Sequence, residues 1–328
     1  MINAAPILED LKLKIKSFDV SDMVYLKCVT ADIQGRASVS VLDMNSFGIQ
    51  EGILPEILHV LGIRSLTMSK HYDLTNLHNI HFELPAVAIE RYPWIFLRNK
   101  ELIFELQLLF KNCQTISFDN WSGKVGASDL WNGLLEDVIK PVERKDLEFI
   151  FYLGDPQEKL SFQVDEVLDI ISDFSYHGKV TFALEEDEAV KLWMVLNGVK
   201  RDSLVNSQTV ADRNRKFMSV FKTLNVTRLV IYSKNKAMLF SKKQQFTLGG
   251  IRIGPTMDIA GDARENFVAG FSISLMLQLD ITHCLALGLV VFGSFGEQKA
   301  LLDQAQLIIY IDQWISDLQR PETIYLYQ

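Results

Sequence analysis

Cysteine is scarce in this chain of 328 residues: Cys28, Cys113 and Cys284 lie far apart. An odd, scattered set excludes a disulfide framework and a zinc-type spacing. It predicts small buried hydrophobes in a reducing, cytoplasmic setting. Long runs of one charge are also missing. The formal net charge is −8 with charged residues at 23%, which argues against nucleic acid or an anionic membrane surface as a partner. The opening MINAAPILEDLKLKIK carries charges where a secretory leader needs an apolar run. The most apolar stretch, 267–295, is interrupted by Gln278, Asp280, Thr282 and His283. Its two pieces are too short to cross a bilayer, so two buried helices joined by a turn are expected. Repeats and low-complexity segments are absent, as are Gly-x-x-x-x-Gly-Lys-Ser/Thr, Gly-x-Ser-x-Gly and paired cysteines. His78 and His81 are three apart on a strand or loop and do not read as a metal site. The polar run Ser69 to Asp73 reads as a plain loop.

What the chain does have is apolar residue, 48% of it, ample for a large buried core. The first third reads as irregular strands: 23–29, 37–42, 63–68, 80–89 and 102–110, with a helix over 52–61 stopped by Gly62. From about residue 115 strands and helices alternate. Strands are predicted at 115–118, 147–153, 180–184 and 228–232. Helices are predicted at 127–139, 160–174, 187–196 and 212–224. The run LEFIFYL is apolar nearly throughout, as in a strand covered on both faces. Two hairpin pieces, 237–240 and 245–248, precede helices at 266–279, 281–292 and 300–318. This order predicts a mostly parallel α/β sheet with helices on both faces. Trp94, Trp121, Trp131 and Trp314 are expected to pack the core.

Four segments then point to one family. Asp119-Asn120-Trp121 is followed by Tyr152-Leu153-Gly154-Asp155-Pro156-Gln157-Glu158-Lys159. Next comes Phe182-Ala183-Leu184-Glu185-Glu186-Asp187-Glu188. Pro255 to Phe271 reads PTMDIAGDARENFVAGF, and Gly48-Ile49-Gln50-Glu51-Gly52 lies near the start. Together they resemble the PfkB-type (ribokinase-like) carbohydrate kinases. The resemblance implies one domain over 1–328, a three-layer sandwich. Residues 1–112 would include a small N-terminal β lid and substrate-side strands, and residues 113–328 the α/β core with the nucleotide side.

The site residues follow only as what the resemblance implies. Asp155 and Glu188 would sit near magnesium and phosphate, with Glu185 at a position where the family has asparagine. Gly48, Gln50 and Asn120 would face substrate. Aligned without a gap, Gly261-Asp262-Ala263-Arg264-Glu265 falls on the family's Thr-Gly-Ala-Gly-Asp catalytic loop, whose glycine N–H groups at a helix start cradle the transferred phosphate. Glu265 is then the base. A second register ends the loop at Ala260-Gly261-Asp262 and makes Asp262 the base, about one helical turn before the helix start. In the gapless register an acid and an arginine replace both glycines, and Asp262 puts negative charge where phosphate would sit. Glu265 is longer than aspartate by one methylene, a shift of roughly 1 Å that costs about 100-fold when a base is misplaced. Two expectations result. One is a divergent homologue with weak or no phosphotransfer and a binding or regulatory role. The other is an active kinase using ATP and Mg2+ on a sugar or related small alcohol. A sugar or nucleotide is the expected partner, and relatives that pair through their lids leave a homodimer open.

Overall fold

A computed structural model describes residues 3–17, 24–27, 80–84, 94–98, 100–118, 121–123, 126–199, 209–233, 236–249, 263–298 and 303–319. The elements expected at 37–42, 52–61 and 63–68 lie outside them, as does Cys28. The chain runs α1 (Ala4–Ser17), β1 (Val24–Lys27), β2 (Ile80–Leu84), α2 (Trp94–Leu97), α3 (Lys100–Asn112), β3 (Cys113–Phe118) and α4 (Ala127–Leu134). A π-helical turn (Leu135–Ile139) leads to α5 (Lys140–Val142). There follow β4 (Leu147–Tyr152), a 3-10 turn (Pro156–Glu158), α6 (Ser161–Phe174), β5 (Gly178–Glu185), α7 (Glu186–Leu196) and α8 (Val210–Thr223). The chain then continues through β6 (Arg228–Ser233), β7 (Lys236–Ser241), β8 (Gln245–Gly249), α9 (Ala263–Met276), α10 (Ile281–Gln298) and α11 (Gln304–Gln319).

The eight described strands form one sheet in sequence order. β1 to β6 pair in parallel, and β7 and β8 close the edge antiparallel. A parallel sheet that grows strand by strand in one direction, with right-handed crossovers, must put every crossover helix on the same face. The packing obeys this. Leu106, Trp131, Ile171, Leu192 and Phe217, from α3, α4, α6, α7 and α8, share one core with Phe149, Phe182, Leu229 and Phe240 of the sheet. The other face is covered by α1, α9, α10 and α11, which pack on Ala183, Val230, Tyr232 and Leu239. Neighbouring residues of β5, β6 and β7 thus enter opposite cores, as the period of two requires. The fold is an α/β three-layer sandwich with a mostly parallel central sheet and helices on both faces, as expected.

Several readings of the sequence need correction. The strand expected at 102–110 is the helix α3. Leu106 and Phe110 are buried and Ile103 partly so, while Phe104 and Leu108 are exposed. Burial at 103, 106 and 110 is helical spacing, and a run this dense in apolar residues satisfies either period. α1 was not expected at all. Ala4, Leu8, Leu11 and Ile15 form its buried stripe. Lys12 Nζ binds Asp312 at 2.6 Å, and Gln304 Nε2 donates to the Ile15 carbonyl at 3.0 Å. The apolar stretch 267–295 is two helices joined at 277–280, as predicted. Among the described residues no helix is long and apolar enough to cross a membrane. Trp94, Trp121, Trp131 and Trp314 are at most 6% exposed, and Cys284 is buried with its thiol pKa pushed far up by desolvation.

Candidate functional site

Open parallel sheets receive ligands outside the carboxyl ends of their strands, so the candidate site is built there. Beneath β3 and β4 the floor is aromatic. Phe118 and Phe151 stack at 4.5 Å, and Phe174 meets both edge-on at 5.1 and 5.0 Å. Each such pair adds about 0.5–1.5 kcal/mol beyond area burial, which fixes the two strand ends. The chains leaving them stay in register: Ser122 N–H donates to the Leu153 carbonyl at 2.8 Å. Trp121 is anchored by its Nε1–H to Ser128 Oγ of α4 at 2.8 Å, and Lys159 Nζ lies 5.7 Å from its ring centroid.

Past β4 the chain turns at Gly154, whose φ of 75° favours glycine. That turn delivers Asp155. Asp155 caps the 3-10 turn, accepting from Gln157 N–H at 2.9 Å through Oδ1, and Pro156 occupies the first turn position, where no N–H is needed. Its other oxygen, Oδ2, binds Lys191 Nζ of α7. Gln157 Nε2 also reaches Met194 Sδ of α7 at 3.9 Å.

Past β5, Glu185 is the N-cap of α7, and Glu188 reaches back so that its Oε2 accepts from Glu185 N–H at 2.9 Å. This is the N3 half of a capping box. Glu188 is 1% exposed, with its Oε1 3.5 Å from the Tyr152 hydroxyl. Glu186, 7% exposed, meets Arg213 of α8 at 2.9 Å and Lys236 of β7 at 3.2 Å. Carboxylates in the first turn also suit the helix dipole.

Of the residues singled out in the sequence, Asp155, Glu185 and Glu188 thus stand at adjoining strand ends. Gly48, Gln50, Asn120, Gly261 and Asp262 lie outside the described residues. Ala263, Arg264 and Glu265 are the first three residues of α9, which opens three residues earlier than the expected start at Asn266. They are helical backbone, not a free polar turn, and their N–H groups belong to the set with no partner inside the helix. The sequence reading missed Lys191, Arg213 and Lys236, the cations that meet these carboxylates. Their signal is tertiary: Lys191 is 36 positions from Asp155, and Lys236 is 50 from Glu186.

The donor set does not fit a divalent cation. Magnesium takes carboxylate oxygens at about 2.0–2.1 Å in near-octahedral geometry. Here both oxygens of Asp155 meet protein donors, and one oxygen of Glu188 caps a helix. Among the described residues no group of three His, Cys, Asp or Glu is arranged to hold a metal.

No protein-family model matches the sequence, and no curated protein matches it. Solved structures similar to it include the adenosine kinase from Sinorhizobium meliloti, at 13% identity over 79% of this chain and 72% of that one, TM-score 0.47. The Arabidopsis thaliana ribokinase complexed with ribose and ATP shares 14% identity over 63% and 58%, TM-score 0.44. The carbohydrate kinase from Agrobacterium tumefaciens shares 10% over 95% and 85%, TM-score 0.46. At such identities and scores the likeness transfers no residue role to this chain, and the fold stands on the strand order and layers described above.

Proposed function

We propose that this chain is a divergent, ribokinase-like carbohydrate-kinase homologue with weak or no ATP-dependent phosphotransfer, acting as a binding or regulatory protein. The observation that carries the reading is the fate of the acidic side chains at the strand ends. A kinase site needs carboxylates free to organise a metal and phosphates. In this chain Asp155 is held by Lys191 and Gln157 N–H, Glu186 by Arg213 and Lys236, and Glu188 by Glu185 N–H. The sequence adds Asp262 and Arg264 at the positions that the gapless alignment gives to glycines. An extra negative charge there opposes phosphate, and a Cβ resists close backbone approach.

The active-kinase reading draws on one observation, the opening of α9 at Ala263, which sets Glu265 in its first turn. In that reading ATP and Mg2+ are the cofactors and Glu265, or Asp262, is the base. Calorimetric titration with Mg·ATP and Mg·ADP, followed by ADP release over a panel of sugars and nucleosides, separates the two. We expect substrate-dependent release at most slightly above background. Release at the roughly 1–100 per second of an ordinary kinase, lost in Glu265→Ala, would overturn the proposal.

A further inference from the structure

The chain holds two Asn-Gly pairs, Asn132-Gly133 and Asn197-Gly198. In this dipeptide the glycine, having no Cβ, leaves its own backbone nitrogen free to approach the asparagine side chain. We infer that Asn197 is a site of spontaneous covalent modification, deamidating in the folded protein, and that Asn132, in the same dipeptide, is protected by the fold. The inference is independent of the proposed function.

The chemistry needs only water. The Gly198 backbone nitrogen loses its proton and attacks Asn197 Cγ. A new N–C bond forms, the Cγ–Nδ2 bond breaks, and the proton leaves with the departing ammonia. Water then opens the cyclic imide at either carbonyl, giving aspartate or isoaspartate.

The structure separates the two pairs. Asn197 is the exposed C-cap of α7, and the exposed Gly198 follows it with φ 63°. A Cβ built on Gly198 would meet nothing within 4 Å. Gly198 N–H donates to the Val195 carbonyl at 3.2 Å, Val199 N–H to the Met194 carbonyl at 2.9 Å, and Asn197 Nδ2 to the Trp193 carbonyl at 2.8 Å. These bonds close a glycine-ended helix stop. Opening that single terminal turn frees the nitrogen, and such openings lie at the low-cost end of local unfolding. Gly133 instead lies within α4, where a Cβ would stand 2.2 Å from the Trp94 indole. Its neighbours Leu130, Trp131 and Leu134 are buried. Freeing its nitrogen requires α4 to leave the core. The product at residue 197 is a carboxylate at the C-terminal end of α7. There it opposes the helix dipole and cannot donate to the Trp193 carbonyl. The change falls on the helix whose first turn holds Glu186 and Glu188.

The test incubates the full-length protein in mildly alkaline buffer over days, folded and, in parallel, in concentrated guanidinium chloride. Peptides containing residues 132 and 197 are followed by mass spectrometry, with fragmentation that distinguishes isoaspartate from aspartate. The denatured samples give the intrinsic rate of each pair. We expect Asn197 to convert in the folded protein, and folding to slow Asn132 at least about tenfold more than it slows Asn197. Two results overturn the inference: a folded protein in which both asparagines slow alike, or one in which Asn197 does not convert at all. Neither outcome depends on nucleotide binding or phosphotransfer.

Discussion

Gly133 of α4 faces Trp94, and a Cβ built on it would stand 2.2 Å from the indole Cγ. The indole cannot swing aside cheaply. Its Nε1–H donates to Asp137 Oδ2 at 2.6 Å, Arg98 joins the same carboxylate at 2.9 Å, and Trp94 N–H donates to Asp129. Gly133→Ala gains about 0.8–1 kcal/mol of helix propensity but overpacks a rigid ring, at about 1–3 kcal/mol or more. Net destabilisation is expected from the urea midpoint. In the background of Trp94→Ala the same change should become neutral or stabilising, a non-additivity that contact requires. A second residue-scale expectation concerns His177. Desolvation first, then the Lys140 and Lys145 charges, hold its pKa below the ordinary 6.5. A depressed folded pKa means that the unfolded chain takes up the proton first. Its contribution is therefore complete above 6.5 and shrinks as pH falls from there through the folded value. Thermal midpoints of His177→Gln should fall less steeply than wild type between about pH 7.5 and 5. At this scale the candidate site was half legible. Asp155 and Glu188 announce themselves locally, through Asp-Pro after an apolar strand and through acids at a helix start. Lys191, Arg213 and Lys236 carry no local pattern, because what they meet is set by which strands become neighbours.

At the scale of elements, α9 and α10 approach closely where they cross. A Cβ on Gly288 would lie 2.8 Å from Phe267 Cε2 and 3.1 Å from its carbonyl, and one on Gly270 would lie 3.0 Å from the Leu287 carbonyl. Small residues on both helices let the backbones approach, and Phe267 fills the rest by stacking on Tyr232 of β6 at 4.1 Å. Gly288→Ala should therefore push on the sheet through Phe267, costing about 1–3 kcal/mol despite better helix propensity. Phe267→Leu combined with it should recover part of that loss in chemical denaturation. The elements themselves were legible where composition and period agreed. LEFIFYL became β4, and the three helices after residue 262 appeared in order. They were not legible where the periods were degenerate. Residues 102–110 are so rich in leucine and phenylalanine that only the exposure of Phe104 and Leu108 distinguishes helix from strand. α1 hid for the opposite reason. Its stripe of Ala4, Leu8, Leu11 and Ile15 is regular, but Glu9, Asp10, Lys12, Lys14 and Lys16 between its members break up the apolar run and mask the period.

In the whole molecule the two cores are separated by a single sheet, and the strands that separate them belong to both. On β5, Phe182 enters one core and Ala183 the other. On β6, Leu229 and Ile231 face one side, Val230 and Tyr232 the other. A strand cannot leave one core and remain in its neighbour, so the two faces should unfold as one unit. α1 provides the handle for testing this, since among the described residues its buried stripe joins the core built from α9 to α11. Leu11, 0% exposed on α1, should cost about 2–5 kcal/mol when cut to alanine. If the cores are coupled, Leu11→Ala will lower the hydrogen-exchange protection of β4 and β5 amides by the same free energy as that of α10 and α11 amides. It will also shift the urea midpoint with an unchanged slope. Loss of protection confined to α1, α10 and α11, with β4 and β5 unmoved, would mean that this face opens by itself. The strands' alternate loyalty to two cores would then not bind them into one cooperative structure.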